Sequence, residues 1–513
     1  MTRIVFLWVA AFFTYQAAFA TTYIIKTKNS PLNMNFQLKS LESQNKLQIM
    51  DSHPSAHLLK VEIPEESELT TLSKLSQLPE VEYIVKDFKL KAFRAPLTAS
   101  SISKLREQWA IAKVHAEKAW KLAKNKGNKK IIVAVIDTGV DYNHESLKGN
   151  VIKGYDFRDN DNDPMDEVGR INPGHGTHVA GIIGATGLVN NGVIGISPTV
   201  SIMPVRFLGK DGSGDLVSGI KAIDYAIKNG AKIISASWGA TVSRAQAKPL
   251  IEAVKRANDA GVIFISAASN DGRNNDQTDV FPANAKFENT ISVAASSPDD
   301  TKPSWSNYGR HMVDLASPGL NIISTIPGNK YRELSGTSMA TPLVSGLVAL
   351  LAAQKPNITG AEVRSLLQTT GAKVNIETAC NCRIDAGAAM EALVHNKMIL
   401  VPAAATISPD ETLQFKAMNA KGDLQFTVSN PEIATIDNNG LLTPKKEGEV
   451  TVFATDSEGH KASSLSVFIQ KSSGGGGGGE NPLPGQPGQC PIQNPQLCDI
   501  LCQVSPNLPW CKN

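Results

Sequence analysis

Six consecutive apolar residues, 131–136, run directly into Asp137-Thr138-Gly139. A strand with no polar residue on either face must be covered on both, the condition of a central strand in a parallel sheet. Comparable strand patterns recur at 200–207, 231–239, 261–270 and 289–295, and helical patterns at 215–229 and 247–260 fall between them. This alternation predicts an α/β fold: a doubly wound, mostly parallel sheet with helices on both faces. Catalytic groups gather at the carboxyl ends of such strands, and both Asp137 and Asn270 fall there.

Two other stretches carry chemistry. His175-Gly-Thr-His-Val-Ala-Gly181 opens an apolar helix, and Ser335-Gly-Thr-Ser-Met-Ala-Thr-Pro342 leads into the apolar run 343–353. Ser338 is expected to project from a helix N-terminus, where the partial positive charge favours an oxyanion. Pro342 is expected near the helix start, where a missing N–H costs least. Taken singly, each residue has a plainer role. Asp137 could cap a turn, Ser338 could be an N-cap, and His175 and His178 could share a metal, although no third ligand with suitable spacing is evident.

Taken together, Ile136-Asp-Thr-Gly139, the His175 motif, Ser237-Trp-Gly239, Ala267-Ala-Ser-Asn270 and Gly336-Thr-Ser-Met-Ala-Thr-Pro342 resemble the subtilisin-like serine peptidases, from about Gln108 to about Val394. The order Asp, His, Ser is that of subtilisin. The resemblance implies Ser338 as nucleophile, His175 as general base and then acid, Asp137 as the group that orients the imidazole, and Asn270 as a side-chain oxyanion donor. It implies that Gly212-Ser213-Gly214 and Ser237-Trp238-Gly239 sandwich an extended substrate, with Val280 walling the primary pocket. Ser269 stands where the family usually has Gly. The acids Asp159, Asp161, Asp163 and Asp166 alternate as calcium-binding loops of the family do, so structural calcium is expected and no organic cofactor.

The flanks read as separate units. Arg3, the apolar run 4–13 and Ala18-Phe-Ala20 predict a signal peptide over 1–20, hence export to the medium, periplasm or cell surface. The run is too short for a membrane anchor. Residues 21–95 read as a small α+β unit that resembles the family's self-removed inhibitory propeptide, with 89–101 an exposed connection after it. The catalytic region is expected over 100–397. Period-two strands and the turn Asn438-Asn-Gly440 predict a small β-sandwich over 400–470, which resembles the bacterial Ig-like group 2 domain. A Gly/Pro-rich linker spans 471–489, and a tail over 490–513 carries four of the six cysteines. A net charge of +3 offers nothing to nucleic acid. Partners are then peptide substrates and the chain's own propeptide, with a monomer expected. The rival reading is an inactive adhesion protein working through the Ig-like domain and tail.

Overall fold

The computed structural model describes residues 20–31, 35–93, 108–190 and 192–471. The signal peptide, the Gly/Pro linker and the Cys-rich tail lie outside these residues. The chain divides into two compact units, with one boundary at Asp87/Phe88.

The first unit runs β1 (Ala20–Thr27), α1 (Asn35–Ser43), β2 (Gln48–His53), β3 (Leu58–Pro64), α2 (Glu68–Ser76) and β4 (Val81–Lys86). Its strands form an antiparallel sheet in the order β2-β3-β1-β4. Leucines recur every third residue at 69, 72 and 75 along α2, which buries Leu72 and Leu75 in a core with Ile25, Val61 and Ile63.

The second unit opens with β5 (Lys89–Ala92), α3 (Trp109–Lys113), α4 (Ala116–Ala123), β6 (Ile132–Asp137), β7 (Tyr155–Asp156), α5 (His175–Gly184) and β8 (Ser201–Arg206). It continues through β9 (Ser213–Asp215), α6 (Leu216–Lys228), β10 (Ile233–Ala236), β11 (Trp238–Thr241), α7 (Lys248–Asp259), β12 (Ile263–Ala267), β13 (Val280–Phe281) and β14 (Thr290–Ser296). Then follow β15 (Leu315–Pro318), β16 (Ile322–Ile326), β17 (Lys330–Leu334), α8 (Thr337–Gln354), α9 (Gly360–Thr370), β18 (Ala372–Lys373), β19 (Cys382–Arg383) and α10 (Ala386–Val394).

Nine strands form one sheet in the order β18-β19-β15-β14-β12-β10-β6-β8-β7. All pairs are parallel except β18 with β19. β6 lies between β10 and β8, and its residues 133–137 are fully buried, as its unbroken apolar run requires. α8 is apolar enough to cross a membrane by composition, but 89% of its apolar window is buried inside the protein, where it packs on β10, β12, β14 and β15.

Residues 399–469 form short ladders around Phe415, Leu442, Val452 and Val467, a small sandwich as expected. Gly440, at φ 83°, makes the turn between the strands Ala434–Ile436 and Leu441–Pro444. This lobe is moored to the catalytic one. Ile399 and Met418 belong to the large core of the sheet and its helices. The Ser365 hydroxyl accepts from the Ala403 N–H at 3.1 Å, and the His311 and Phe468 rings meet edge to face at 5.2 Å. Cys380 and Cys382 bridge each other.

Candidate active site

Asp137 ends β6 and His175 begins α5. His175 Nδ1 and Asp137 Oδ1 are 2.7 Å apart, both residues buried. The Thr138 N–H donates to the same oxygen at 2.7 Å. Gly176 permits the close approach, since a Cβ there would lie 2.1 Å from the Gly139 carbonyl oxygen. With Nδ1 turned to the carboxylate, His175 Nε2 is buried and has no hydrogen-bond partner among the described residues.

Ser338 is the second residue of α8, and its hydroxyl has two carbonyls in reach, Ser237 at 2.9 Å and Phe93. Pro342 is the sixth helical residue, deeper than the sequence suggests. Its missing N–H deprives the Ser338 carbonyl of its helical donor, and the Ser237 hydroxyl supplies the bond at 3.0 Å. Ser237 and Ser338 therefore each donate to the other's carbonyl.

Asn270 follows β12. Its Oδ1 accepts from both the N–H and the hydroxyl of Thr337, each at 2.9 Å. That fixes the amide so that Nδ2 is buried and has no partner among the described residues, a donor held ready for developing negative charge. Thr337 is a positioning residue that the sequence reading passed over. Ser269, in the family's usual glycine position, has φ 93° and donates its hydroxyl to Asp271 at 2.9 Å.

The expected substrate segments enclose a strand. β5 pairs antiparallel with β9 on one side, Leu90 opposite Gly214, and with β11 on the other, Lys91 opposite Gly239. The Ala92 N–H donates to the Gly212 carbonyl at 2.9 Å and the Phe93 N–H to the Ser237 carbonyl at 3.1 Å. The exposed connection expected over 89–101 is thus wrong for its first residues: 89–92 form a paired strand and Leu90 is fully buried. Trp238 sits beneath, its indole N–H on the Ile136 carbonyl at 2.7 Å.

His178 is not a partner of His175 in metal binding. Its Nε2–H donates to the Arg332 carbonyl at 2.9 Å, and burial drives its pKa down to about 3. The acidic loop departs from expectation too. Calcium needs six to eight converging oxygens, whereas these carboxylates are committed elsewhere. Arg206 Nη1 holds Asp156 at 2.6 Å and Asp159 at 2.9 Å, while Nη2 holds Glu167 at 3.1 Å. Asp163 accepts from the Tyr142 hydroxyl at 2.7 Å, and Asp161 from the Asp163 N–H at 2.8 Å. Asp166 accepts from Thr138, Asn172 and twice from Thr177, at 2.7–2.9 Å. Burial pushes its carboxyl up to about 6 against the pull of these donors. Among the described residues no three His, Cys, Asp or Glu side chains are grouped to hold a metal ion. Asp159, Asp161, Asp163 and Asp166 are thus not grouped in this structure to hold a metal ion. Asp166 is instead a hub tying Thr138, which follows Asp137, to Asn172 and Thr177, which flank His175.

With an extended peptide seated between two strands and its last carbonyl at a serine hydroxyl, the class is that of a serine peptidase. The model of the Subtilase family matches residues 128–388, and that of a bacterial Ig-like domain (group 2) matches 395–467. The chain is 41% identical over 301 residues to a thermophilic serine proteinase of Bacillus sp. (strain AK1), covering 59% of this chain and 70% of that one. It is 40% identical over 268 residues to thermitase of Thermoactinomyces vulgaris, covering 52% and 89% respectively. Halolysin of Haloferax mediterranei is 35% identical over 318 residues, covering 61% and 58%. The chain belongs to the subtilase family and is a subtilisin-like serine endopeptidase.

Proposed function

We propose that this chain is an exported serine endopeptidase made as a self-processed precursor. Ser338 attacks the scissile carbonyl, and His175 takes its proton at Nε2 and returns it to the leaving amine. Asp137 holds the tautomer that leaves Nε2 free to accept, and stabilises the imidazolium. The Asn270 amide donates to the oxyanion of the tetrahedral intermediate. Gly212–Gly214 and Ser237–Gly239 bind the substrate main chain as an added strand, so register comes from backbone hydrogen bonds and selectivity from side-chain pockets. The first unit is the propeptide, and 1–20 direct export.

One observation carries this reading: the five residues 89–93 lie antiparallel between the two segments and end with the Phe93 carbonyl at the Ser338 hydroxyl. That is the pose of a substrate. The test uses the full-length precursor and its Ser338→Ala variant, each treated with a fluorophosphonate probe and weighed intact. The wild type should lose its N-terminal segment and gain one probe, and the variant should do neither. A wild type that stays whole and unlabelled would overturn the reading.

A further inference from the structure

Asn270 stands on a turn that one distant residue holds from both sides. Ser269, just before it, is buried at φ 93°, a left-handed conformation that a residue with a Cβ rarely adopts. Such a conformation persists only where its surroundings over-determine it. Asn307 supplies the constraint. Its N–H donates to the Ser269 carbonyl at 3.0 Å, ahead of Asn270. Its side-chain Oδ1 accepts from the Asp271 N–H at 2.9 Å and the Arg273 N–H at 3.0 Å, beyond Asn270. Its Nδ2 donates to Asn275 Oδ1 at 2.9 Å, and Asn275 Nδ2 donates to the Ala268 carbonyl at 3.1 Å, so the turn is closed at its root as well. Asn307 is fully buried, and both polar atoms of its side chain serve this turn. The residue is itself fastened. The Ser306 hydroxyl donates to the Asn307 carbonyl and accepts from the Ala295 N–H, each at 2.9 Å. Ala295 lies on β14, which pairs with β12, the strand from which the turn emerges.

Resting on the peptidase reading, we infer that Asn307 is a positioning residue for the oxyanion donor: it holds residues 268–273 so that Asn270 Nδ2 meets the oxygen of the scissile carbonyl. The division of labour with Thr337 is clear. Thr337 fixes the far end of the Asn270 side chain by donating twice to its Oδ1. Asn307 fixes the backbone at its near end. An oxyanion donor works only when it lies within about 2.7–3.1 Å of where the charge will develop. Without Asn307 nothing described here holds Ser269 at its unfavourable φ, and as it relaxes the Asn270 amide swings off target. The charge exists only along the reaction, so the loss falls on kcat and leaves KM alone. An asparagine that only stabilised the fold would not produce that split.

The experiment is a double-mutant cycle of wild type, Asn307→Ala, Asn270→Ala and the pair together. Each full-length precursor is matured by bead-bound wild type, which is then removed. Both kcat and KM are measured on Leu-Lys-Ala-Phe-p-nitroanilide, per site titrated with a fluorophosphonate, so that unfolded protein does not count. Asn307→Ala should lower kcat at least about tenfold with KM unchanged, and by less than about twofold once Asn270 is Ala, because no donor is left to place. Asn307→Asp keeps an acceptor for the Asp271 and Arg273 N–H groups. It should recover most of the lost kcat even as its buried charge lowers the urea midpoint. If Asn307→Ala does not fold, Asn307→Ser takes its place in the cycle under the same criteria. An equal loss of kcat in both backgrounds, an unchanged kcat, or a rise in KM alone would overturn the inference and leave the peptidase reading standing. A wild type that neither labels nor cuts the peptide would sink both.

Discussion

Two acid-bearing regions sit at the carboxyl edge of the same sheet and behave in opposite ways. Asp137 closes β6 and turns a carboxylate oxygen to a histidine at the start of α5. In the loop around 156–167, the acids scatter over an arginine, a tyrosine, two threonines, an asparagine and backbone N–H groups. The difference lies in what supports each group. Asp137 ends a buried strand, His175 and Ser338 open buried helices and Asn270 follows a buried strand, so the packing of those elements fixes where each stands. The loop acids stand on irregular chain and take the nearest donor. Arg206 sits opposite Asp137 in the register of β8 against β6, so one pair of neighbouring strand ends supplies both regions.

The sharpest way to break the comparison is Ser338→Ala. Turnover of a casein substrate should fall about 10⁶-fold, the scale for removing a nucleophile that acts as part of a unit. A small loss would mean that Ser338 is not the nucleophile. Next is Arg206→Ala, which strands the buried carboxylate of Asp156 and should cost about 3–5 kcal/mol by urea denaturation. The same loss should appear in EDTA and in calcium. Rescue by calcium alone would show that the loop acids can converge after all.

Asn270→Ala should lower kcat by about 10²–10³-fold with little change in KM, the cost of one oxyanion donor, for which subtilisin's own asparagine is the measured case. The smallest effect is a pH slope. The folded pKa of Asp166, about 6, lies above its ordinary 3.8. Because it is raised, the group's contribution to stability is full below about pH 4 and is lost as pH rises through 6. Between pH 4 and 7 the wild type should lose about 3 kcal/mol relative to Asp166→Asn, read from urea midpoints. A flat difference would mean that the donors outweigh burial.

What was legible in the sequence follows the same division. Apolar runs ending in Asp137 and Asn270 mark strand ends, and the helical patterns at 215–229 and 247–260 match α6 and α7 within a residue or so. The residues of the proposed site were therefore candidates from the sequence alone, and the fold pairs Asp137 with His175 and Asn270 with Thr337. The acid spacing of 159–166 was equally visible, but its partner Arg206 lies 47 residues from Asp159 and no local pattern connects them. Lys89-Leu-Lys-Ala-Phe93 was misread because two lysines in a short stretch look like solvent-facing chain. Its pairing depends on Ser213–Asp215 and Trp238–Gly239, more than a hundred residues downstream. Thr337 was in plain view beside Ser338, yet its role depends on the orientation of the Asn270 amide, which only the folded chain fixes.

The mooring of the Ig-like lobe bears on where this molecule can be divided. A seam near residue 398 is the natural place to shorten the protein for expression or to graft another module. The seam does not coincide with the end of the peptidase core, because Ile399 and Met418 pack into it and Ser365 on α9 bonds to Ala403 beyond it. A chain stopped at 397 would leave an apolar scar on its own enzyme. A graft that kept 398–418 without the rest would keep the plug but lose the fold that holds it. For anyone engineering this protein, lobe and enzyme are one part.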